Sequence, residues 1–478
     1  MQDSKYQLSP FLRYVKEPSS NSTLVYHKLF GNPRILNAEG INFLNLFLKP
    51  QTLIAIVEQC DDDPRELLEN FKQLSFLIIP GQDERLILVQ NRSKYLLELA
   101  SGRTVDRMGL AISDWCNLAC KHCIHFQKDS ETQEKITEYR RPLPGLNMTW
   151  ETAKICIDGF IALLRDHNRN HCKIHFGNAE PLFNWQTIAK ILHYCDSISD
   201  ISFEFTINTN LTLLTSDIAH TLKKFKVRIA TSLDGTKIAN NAIRITNEGR
   251  GTFDAIVKNI DLLDHIGYPL DGFSITVAQN NFDSIGTDII DWAANRQMTS
   301  IAFDYDLIGL HNVPTKEKVS KLMCLKKYAD AIGINFFGTW DSAYRNLTSG
   351  NLLTETHTFC AAVQGKSLEF NTDGSIKVCS HTTSRIGHVN TFDKLFESNN
   401  NLSRLVKARY PGTDKVCIGC QIECACAGQC EVTREFSSKS GSFQDNKIFT
   451  SQCEFYREIT DALIIEHLKS QELDTSTG

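Results

Sequence analysis

Cys116, Cys120 and Cys123 stand in the run Asp114-Trp115-Cys116-Asn117-Leu118-Ala119-Cys120-Lys121-His122-Cys123, a C-x3-C-x2-C spacing with no fourth cysteine close by. Cysteine thiolates are the usual ligands of iron–sulfur clusters, and a [4Fe–4S] cube has four ligand positions. Three protein ligands leave one iron open to a substrate or cofactor, and that incompleteness points to reactive chemistry. Two other readings of the same residues stay open. They can hold a structural zinc, with His122 or His125 as the fourth ligand, or sit buried as small apolar groups.

The chain has 16 cysteines, and their placement matters more than their number. Cys360, Cys379, Cys417, Cys420, Cys424, Cys426, Cys430 and Cys453 crowd the C-terminal quarter, whereas Cys60, Cys156, Cys172, Cys195 and Cys324 are scattered. The start, Met1-Gln2-Asp3-Ser4-Lys5-Tyr6, lacks the basic and apolar regions of a signal peptide. A cytoplasmic location is therefore expected, where thiols stay reduced and clustered cysteines are better read as metal ligands than as disulfides. At 478 residues the chain is too long for one hydrophobic core, so two or three domains are expected. A net charge of −5 gives no reason to expect nucleic acid, and no apolar run is long enough to span a membrane.

The elements that must position these residues fall into three blocks. Residues 1–20 read as a poorly ordered lead-in. Strands are expected at Thr23–Lys28 and Arg34–Leu36, around the turn Gly31-Asn32-Pro33. Helices follow at Ala38–Leu48, Gln51–Gln59 and Pro64–Leu74, then a strand pair, Phe76–Ile79 and Leu86–Gln90, about Pro80-Gly81. This order describes a small winged-helix domain over residues 1–95. From about residue 105 to 335 strands alternate with helices: Gly109–Ile112, Lys173–Phe176, Ile201–Ile207, Arg228–Ser232, Phe273–Val277 and Ser300–Tyr305 for the strands. The helices are expected at Thr149–Arg165, Trp185–Ser197, Ser216–Phe225, Thr252–His265 and Asp283–Arg296. Alternating units of this kind imply a parallel sheet with helices outside it, and an α/β fold. Beyond about residue 355 the alternation stops. Asn371-Thr372-Asp373-Gly374, between Ser367–Phe370 and Ser375–Val378, predicts a hairpin. The tail from Gln471 reads as frayed.

The three-cysteine spacing resembles the signature of radical S-adenosylmethionine (SAM) enzymes, and six βα units are similar to their partial (β/α)6 barrel. The resemblance implies a [4Fe–4S] cluster on Cys116, Cys120 and Cys123, as metal ligands and catalytic centre, with SAM on the open iron. It implies cleavage of SAM to a 5'-deoxyadenosyl radical that abstracts hydrogen from substrate. Phe176-Gly177-Asn178-Ala179-Glu180-Pro181 resembles the family's GGEP segment, which binds the methionine amino group. Glu180 is carried over with Asn178, although Asn178-Ala179 replace two glycines and their Cβ atoms narrow the approach. Ser232-Leu233-Asp234-Gly235 followed by Arg244 resembles the run that binds the SAM carboxylate in the peptide-modifying branch, as does Gly249-Arg250-Gly251-Thr252-Phe253 further on. A planar, permanently charged guanidinium suits that ligand. A surface salt bridge is the other reading of Arg244. Asn208-Thr209-Asn210, Thr276 and Phe126 are supporting positions for the cofactor pocket.

Cys360, Gly374 and Cys379, then Cys417-x2-Cys420-x5-Cys426-x3-Cys430 and Cys453, resemble the SPASM domain, here at 355–460, which holds two auxiliary [4Fe–4S] clusters. The resemblance assigns Cys417, Cys420, Cys426 and Cys453 to an outer cluster, and Cys360, Cys379 and Cys430 to an inner one. The inner cluster's fourth ligand stays open among His357, Cys424, Cys324, a substrate thiolate and solvent. With these two domains beside it, the N-terminal block resembles the PqqD-like recognition element of peptide maturases, which adds a leader peptide to a sheet edge. Together these imply a SPASM maturase that modifies a ribosomally made precursor peptide by a carbon–carbon or carbon–sulfur crosslink. A reductant such as flavodoxin or ferredoxin would serve it. Two rivals remain: a maturase of a whole protein, of the formylglycine-forming or amine-dehydrogenase type, and an iron–sulfur DNA-binding regulator. The regulator needs a basic third helix, and Pro64–Leu74 offers only Arg65 and Lys72.

Overall fold

Where a loose lead-in is expected, the described residues before Thr23 include two strands. In the computed structural model, which describes residues 4–18, 21–60, 62–123, 146–349, 358–397, 399–410, 412–438 and 446–476, β1 (Lys5–Leu8) and β2 (Leu12–Lys16) open the chain. β2 forms an antiparallel sheet with β3 (Thr23–His27) and β4 (Gly31–Leu36), and β1 pairs with β5 (Gln51–Thr52) and β6 (Leu77–Ile78). Every residue of β3 is buried. One face carries Val25 into a small core with Leu44, Phe47, Ile56, Leu68, Phe71 and Phe76, while Leu24 and Tyr26 on the other face join the main core. The helices Ala38–Asn45, Leu53–Val57 and Arg65–Gln73 lie where the apolar spacing put them. The expected strand Leu86–Gln90 is instead part of a 17-residue helix, Glu84–Ala100. Asp83 caps it by accepting a hydrogen bond from Leu86 N at 3.0 Å, so the local start signal overrides the β-like run Leu86-Ile87-Leu88-Val89. A domain limit at residue 95 therefore falls inside a helix.

The barrel strands are β7 (Arg107–Ala111), β8 (His171–Gly177), β9 (Ser202–Thr209), β10 (Arg228–Thr231), β11 (Gly272–Val277), β12 (Ser300–Tyr305) and a seventh, β13 (Asn335–Phe337), past the expected end at 335. All neighbouring pairs are parallel, with β10 and β11 joined by one bridge, Ser232–Ser274. Burial alternates along them. Ile301, Phe303 and Tyr305 of β12 pack outward under the helices, and Ser300, Ala302 and Asp304 face the lumen. The helices Trp150–Asp166, Trp185–Asp196, Ser216–Lys224 and Phe253–His265 hold their expected places. The next begins at Asp288 rather than Asp283, because Asn281 turns the chain first by accepting from Ala278 N at 2.8 Å.

The Cys-rich part is built onto the same sheet. Its hairpin, β14 (Ser367–Phe370) and β15 (Ser375–Lys377), turns at Asp373-Gly374, where Gly374 has φ +79°. β14 pairs in parallel with β7, Ser367 opposite Arg107 through Phe370 opposite Leu110. The last helix, Lys447–Ser476, runs through the tail expected to fray. No helix among the described residues is long and apolar enough to cross a membrane.

Candidate active site

The loop carrying Cys116, Cys120 and Cys123 leaves the C-terminal end of β7, where barrels of this kind place their chemistry. Its backbone is strapped to the segment after the helix Lys237–Ile243. Ala119 N donates to Ile245 O at 2.8 Å and Lys121 N to Ile243 O at 2.9 Å, and Leu118 bridges Thr246. All three thiols are half-buried. Two side-chain donors reach their sulfurs: Asn210 Nδ2 lies 3.7 Å from Cys116 Sγ, and Arg244 Nη1 lies 3.7 Å from Cys120 Sγ. Burial pushes the Cys120 thiol up to about 11, against the pull of Arg244. Donors aimed at sulfur fit thiolates that bind an iron–sulfur cluster, whose potential such hydrogen bonds tune. A zinc needs its donors gathered on one ion. Among the described residues no three His, Cys, Asp or Glu side chains converge in that way, and His122 Nε2 lies 3.8 Å from Asp234 Oδ2. His125 and Phe126 lie outside the described residues.

Glu180 follows β8 and is fully buried. Its Oε1 accepts from Thr209 Oγ1 at 2.7 Å and Leu182 N at 3.0 Å, and its Oε2 from Asn210 N at 2.7 Å. Burial raises its pKa, and those donors oppose the rise. The carboxylate thus clamps the end of β8 to the end of β9, and Glu180 N ties to Trp115 O of the cysteine loop at 2.9 Å. Asn178 takes φ +67°, and its side-chain amide donates to Asp114 Oδ1 at 3.1 Å. Asn tolerates this left-handed conformation better than most residues, which explains how it replaces a glycine.

Ser232 follows β10, half-buried and bridged to Ser274. Arg244 and Asp234 are buried together: Arg244 Nε and Nη2 donate to Asp234 Oδ2 at 2.9 and 2.8 Å, and Thr276 N donates to Asp234 Oδ1 at 2.8 Å. Arg244 is therefore no surface salt bridge. The sequence reading missed Asp234, although it stands in the same Ser-Leu-Asp-Gly run, and it missed the amide of Asn210 on Cys116. Their geometry makes Asp234 the residue that aims the guanidinium at the cysteine loop.

The C-terminal cysteines separate into two groups. Burial pushes Cys430 up to about 11, with Cys360 adding to the rise, and Cys379 is raised by burial and by Cys430 and Cys360. Burial pushes Cys426 up to about 12, with Cys453 and Cys420 beside it, and raises Cys417, which lies near Cys426 and Cys453. Thiols that act on one another thus fall in two sets, Cys360, Cys379 and Cys430 in one and Cys417, Cys420, Cys426 and Cys453 in the other, without converging on one point among the described residues. Cys424 is buried elsewhere, its N donating to Lys28 O at 3.3 Å, and Cys324 lies exposed on the helix Thr315–Ala331. His357 lies outside the described residues. Cys360 lines a cavity of about 460 Å³ with Asp304, Phe337, Thr339 and Arg345. Thr339 N and Oγ1 donate to Asp304 at 2.7 and 2.6 Å, and burial pushes that carboxyl up to about 6.

The radical SAM superfamily model matches residues 110–283, from the end of β7 past β11. Over most of its length the chain is similar to the radical SAM cyclopropyl synthase TigE of Paramaledivibacter caminithermalis, with 24% identity over 429 residues, 88% of this chain and 89% of that protein. It is also similar to the cysteine-type anaerobic sulfatase-maturating enzyme of Clostridium novyi, with 24% identity over 174 residues, 35% of this chain and 41% of that protein. The solved structure of anSMEcpe with bound AdoMet and Cp18Cys peptide shares the fold at TM-score 0.58 and 17% identity, covering 76% of this chain and 99% of that one. The fold is the mixed α/β fold of radical SAM enzymes with a Cys-rich C-terminal part. Residues 110–283 thus carry a radical SAM domain, a domain type that implies SAM and a [4Fe–4S] cluster.

Proposed function

We propose that the chain is a SPASM-type maturase that forms a carbon–carbon or carbon–sulfur bond in a ribosomally made precursor peptide. The observation that carries this reading is the continuity of one sheet. β7 leads into the three-cysteine loop, and its edge is paired by β14, whose flanking segments bear Cys360 and Cys379. A radical-generating loop and an inner metal centre would then share one sheet, and Cys360 lines a cavity with Asp304. Similarity to a cyclopropyl synthase over 88% of the chain favours the carbon–carbon bond. The sulfatase-maturating similarity covers 35% and favours a whole-protein substrate less. The DNA-regulator rival is weakened because Arg65 is paired with Asp63 at 3.1 Å and Lys72 with Glu69 at 2.8 Å.

A cluster with SAM, when bound, supplies a carbon radical that takes a hydrogen atom from the substrate. Cys116, Cys120 and Cys123 would hold the cluster. Arg244, with Ser232 beside it, would meet the SAM carboxylate, aimed by Asp234. Glu180 would act by fixing the backbone of residues 177–182 and 209–210, leaving the methionine amino group to main-chain acceptors there. The N-terminal sheet would present an edge for an extended leader, raising the local concentration of the core peptide at the lumen.

Anaerobic reconstitution should give about twelve iron atoms per chain, four for each of three clusters. Incubation with SAM, a reductant such as flavodoxin or ferredoxin, and the precursor encoded by a short neighbouring reading frame should yield a peptide lighter by two hydrogens. Ala at Cys116, Cys120 and Cys123 should abolish 5'-deoxyadenosine formation. Continued formation by that variant refutes the reading.

A further inference from the structure

One row of lumen-facing positions crosses four strands. Glu369 on β14 is opposite Gly109 on β7, Gly109 is opposite His175 on β8, and His175 is opposite Thr206 on β9. Their neighbours along the strands, Leu368, Leu110, Phe176 and Ile207, are fully buried on the helix side. A Cβ added at Gly109 would fall on the Glu369 carboxylate. Glycine there lets the carboxylate of the half-buried Glu369 lie flat across the wall. His175 Nδ1 is 2.8 Å from Thr206 Oγ1, and its Nε2 would meet a Cβ at Gly177 at 2.8 Å, so the ring leans toward the rim that carries Asn178 and Glu180.

We infer that Glu369 is a catalytic residue of this lumen, the group that takes the proton released when the new substrate bond closes. The inference rests on the maturase reading above. Joining two C–H carbons removes two hydrogens. One leaves as a hydrogen atom to the carbon radical derived from SAM and a one-electron reductant. The other leaves as a proton to Glu369 and an electron to a one-electron acceptor of the iron–sulfur or flavin class. Two C–H bonds break, one C–C bond forms, and one new C–H and one O–H bond form. Glu369 lies near Cys379 of the inner set, so the proton and electron would leave on the same side of the lumen. The groups that act on it are Arg107 on β7, Lys377 on β15, Cys379 and the Ser367 hydroxyl, with His175 on β8 next to Arg107 and His381 next to Lys377. Burial pushes its carboxyl up to about 7, with Arg107, Ser367 and Lys377 opposing, which suits a base working at neutral pH. Burial pushes His175, one strand further along the row, down to about 4, so it stays neutral.

E369Q, an isosteric change, should lower the modified peptide formed per 5'-deoxyadenosine by about 100-fold, the usual contribution of a positioned base. The wild-type ratio should rise with pH through about 7, and E369D, but not E369Q, should keep that limb. A readout independent of turnover is the infrared difference spectrum between high and low pH on the reconstituted holoenzyme. A carboxyl signal titrating near neutrality should be present in wild type and absent in E369Q. An unchanged ratio in E369Q, or no such carboxyl in wild type, overturns the inference. If wild type cleaves SAM yet modifies no peptide, the maturase reading fails, and the infrared titration still decides whether Glu369 is a neutral-pH base.

Discussion

Glu84 opens the helix Glu84–Ala100 yet turns its carboxylate into the protein, where it is 2% exposed. Ser9 Oγ donates to Oε1 and Oε2, at 3.0 and 2.9 Å, and His27 Nε2 lies 2.7 Å from Oε1. His27 Nδ1 accepts from Leu29 N and Phe30 N at 3.1 Å, which assigns the ring proton to Nε2 and makes the contact with Glu84 a donation. Glu84→Ala leaves the His27 ring able to donate only to Ser9 Oγ, 3.0 Å away, so one buried donor, the Ser9 hydroxyl, is stranded at a cost of about 1–3 kcal/mol. Hydrogen exchange of the reconstituted full chain, followed by mass spectrometry, should show residues 23–30 opening about 5–100 times more often, since ~1.4 kcal/mol is tenfold. Less than a fivefold change would refute the assignment. The same site predicts a pH effect. Burial lowers the His27 pKa, with Glu84 opposing. The unfolded chain then binds more protons between the lowered value and 6.5, so this stability is complete above pH 6.5 and is lost as pH falls below it. The slope is at most about 1.4 kcal/mol per pH unit. His27→Phe, which keeps a ring against Phe30, should flatten that dependence.

Other sites give shorter tests. Arg244→Lys keeps the charge but loses the fork that spans Asp234 and Cys120, and should weaken SAM binding at least about tenfold by equilibrium dialysis; unchanged affinity would free Arg244 from that role. Arg409 is buried against Glu431 and the carbonyls of Gly428 and Gln429, in a loop where Ala427, Gly428 and Gln429 have φ +52°, +84° and +68°. That loop joins Cys426 to Cys430, one from each cysteine group, so Arg409→Lys should drop the iron content from about twelve toward about four atoms per chain. Full iron retention would show that the loop holds its shape without the guanidinium. Gly109→Ala should displace the Glu369 carboxylate and reproduce the E369Q loss in product ratio, measured by the same mass-spectrometric assay.

The barrel strands were legible because each is a short apolar run whose register leaves one face under helices, as β12 shows. The three-cysteine loop was legible as following the first barrel strand because its spacing is local. Other features depended on residues far apart in the chain. His27 and Glu84 are 57 positions apart, and Asp234 meets Arg244 only because the chain between them coils into a short helix and turns back. The pairing of β14 with β7 joins segments some 260 residues apart, which no local periodicity carries. Helix Glu84–Ala100 was misread for a local reason. Leu86 to Val89 suit a strand by residue type, while the cap at Asp83 and the burial of Leu88 and Leu99 decide for a helix.

These long-range contacts change what the N-terminal part can be. Arg85 grips Glu423 with both guanidinium arms, at 2.6 and 2.9 Å, and Arg13 meets Asp461 at 2.6 Å. Tyr26 Oη donates to Gln421 O at 2.9 Å, next to Cys420. The other end of the helix Glu84–Ala100 places Leu99 in the main core. A recognition unit on a loose tether would gain effective concentration that falls as its linker lengthens. Here the sheet is instead docked on the segment that carries Cys417 and Cys420, so a leader bound at its edge would enter the lumen from a fixed distance and direction. Removing residues 1–95 would cut that helix and bare Tyr26 and Leu24, and a loss of peptide binding would then report damage as much as lost recognition. Charge reversal at exposed positions of the sheet edge, such as Arg34→Glu, separates the two: it leaves every contact with the Cys-rich part in place, so weaker leader binding with unchanged exchange at residues 23–27 can come only from the edge itself.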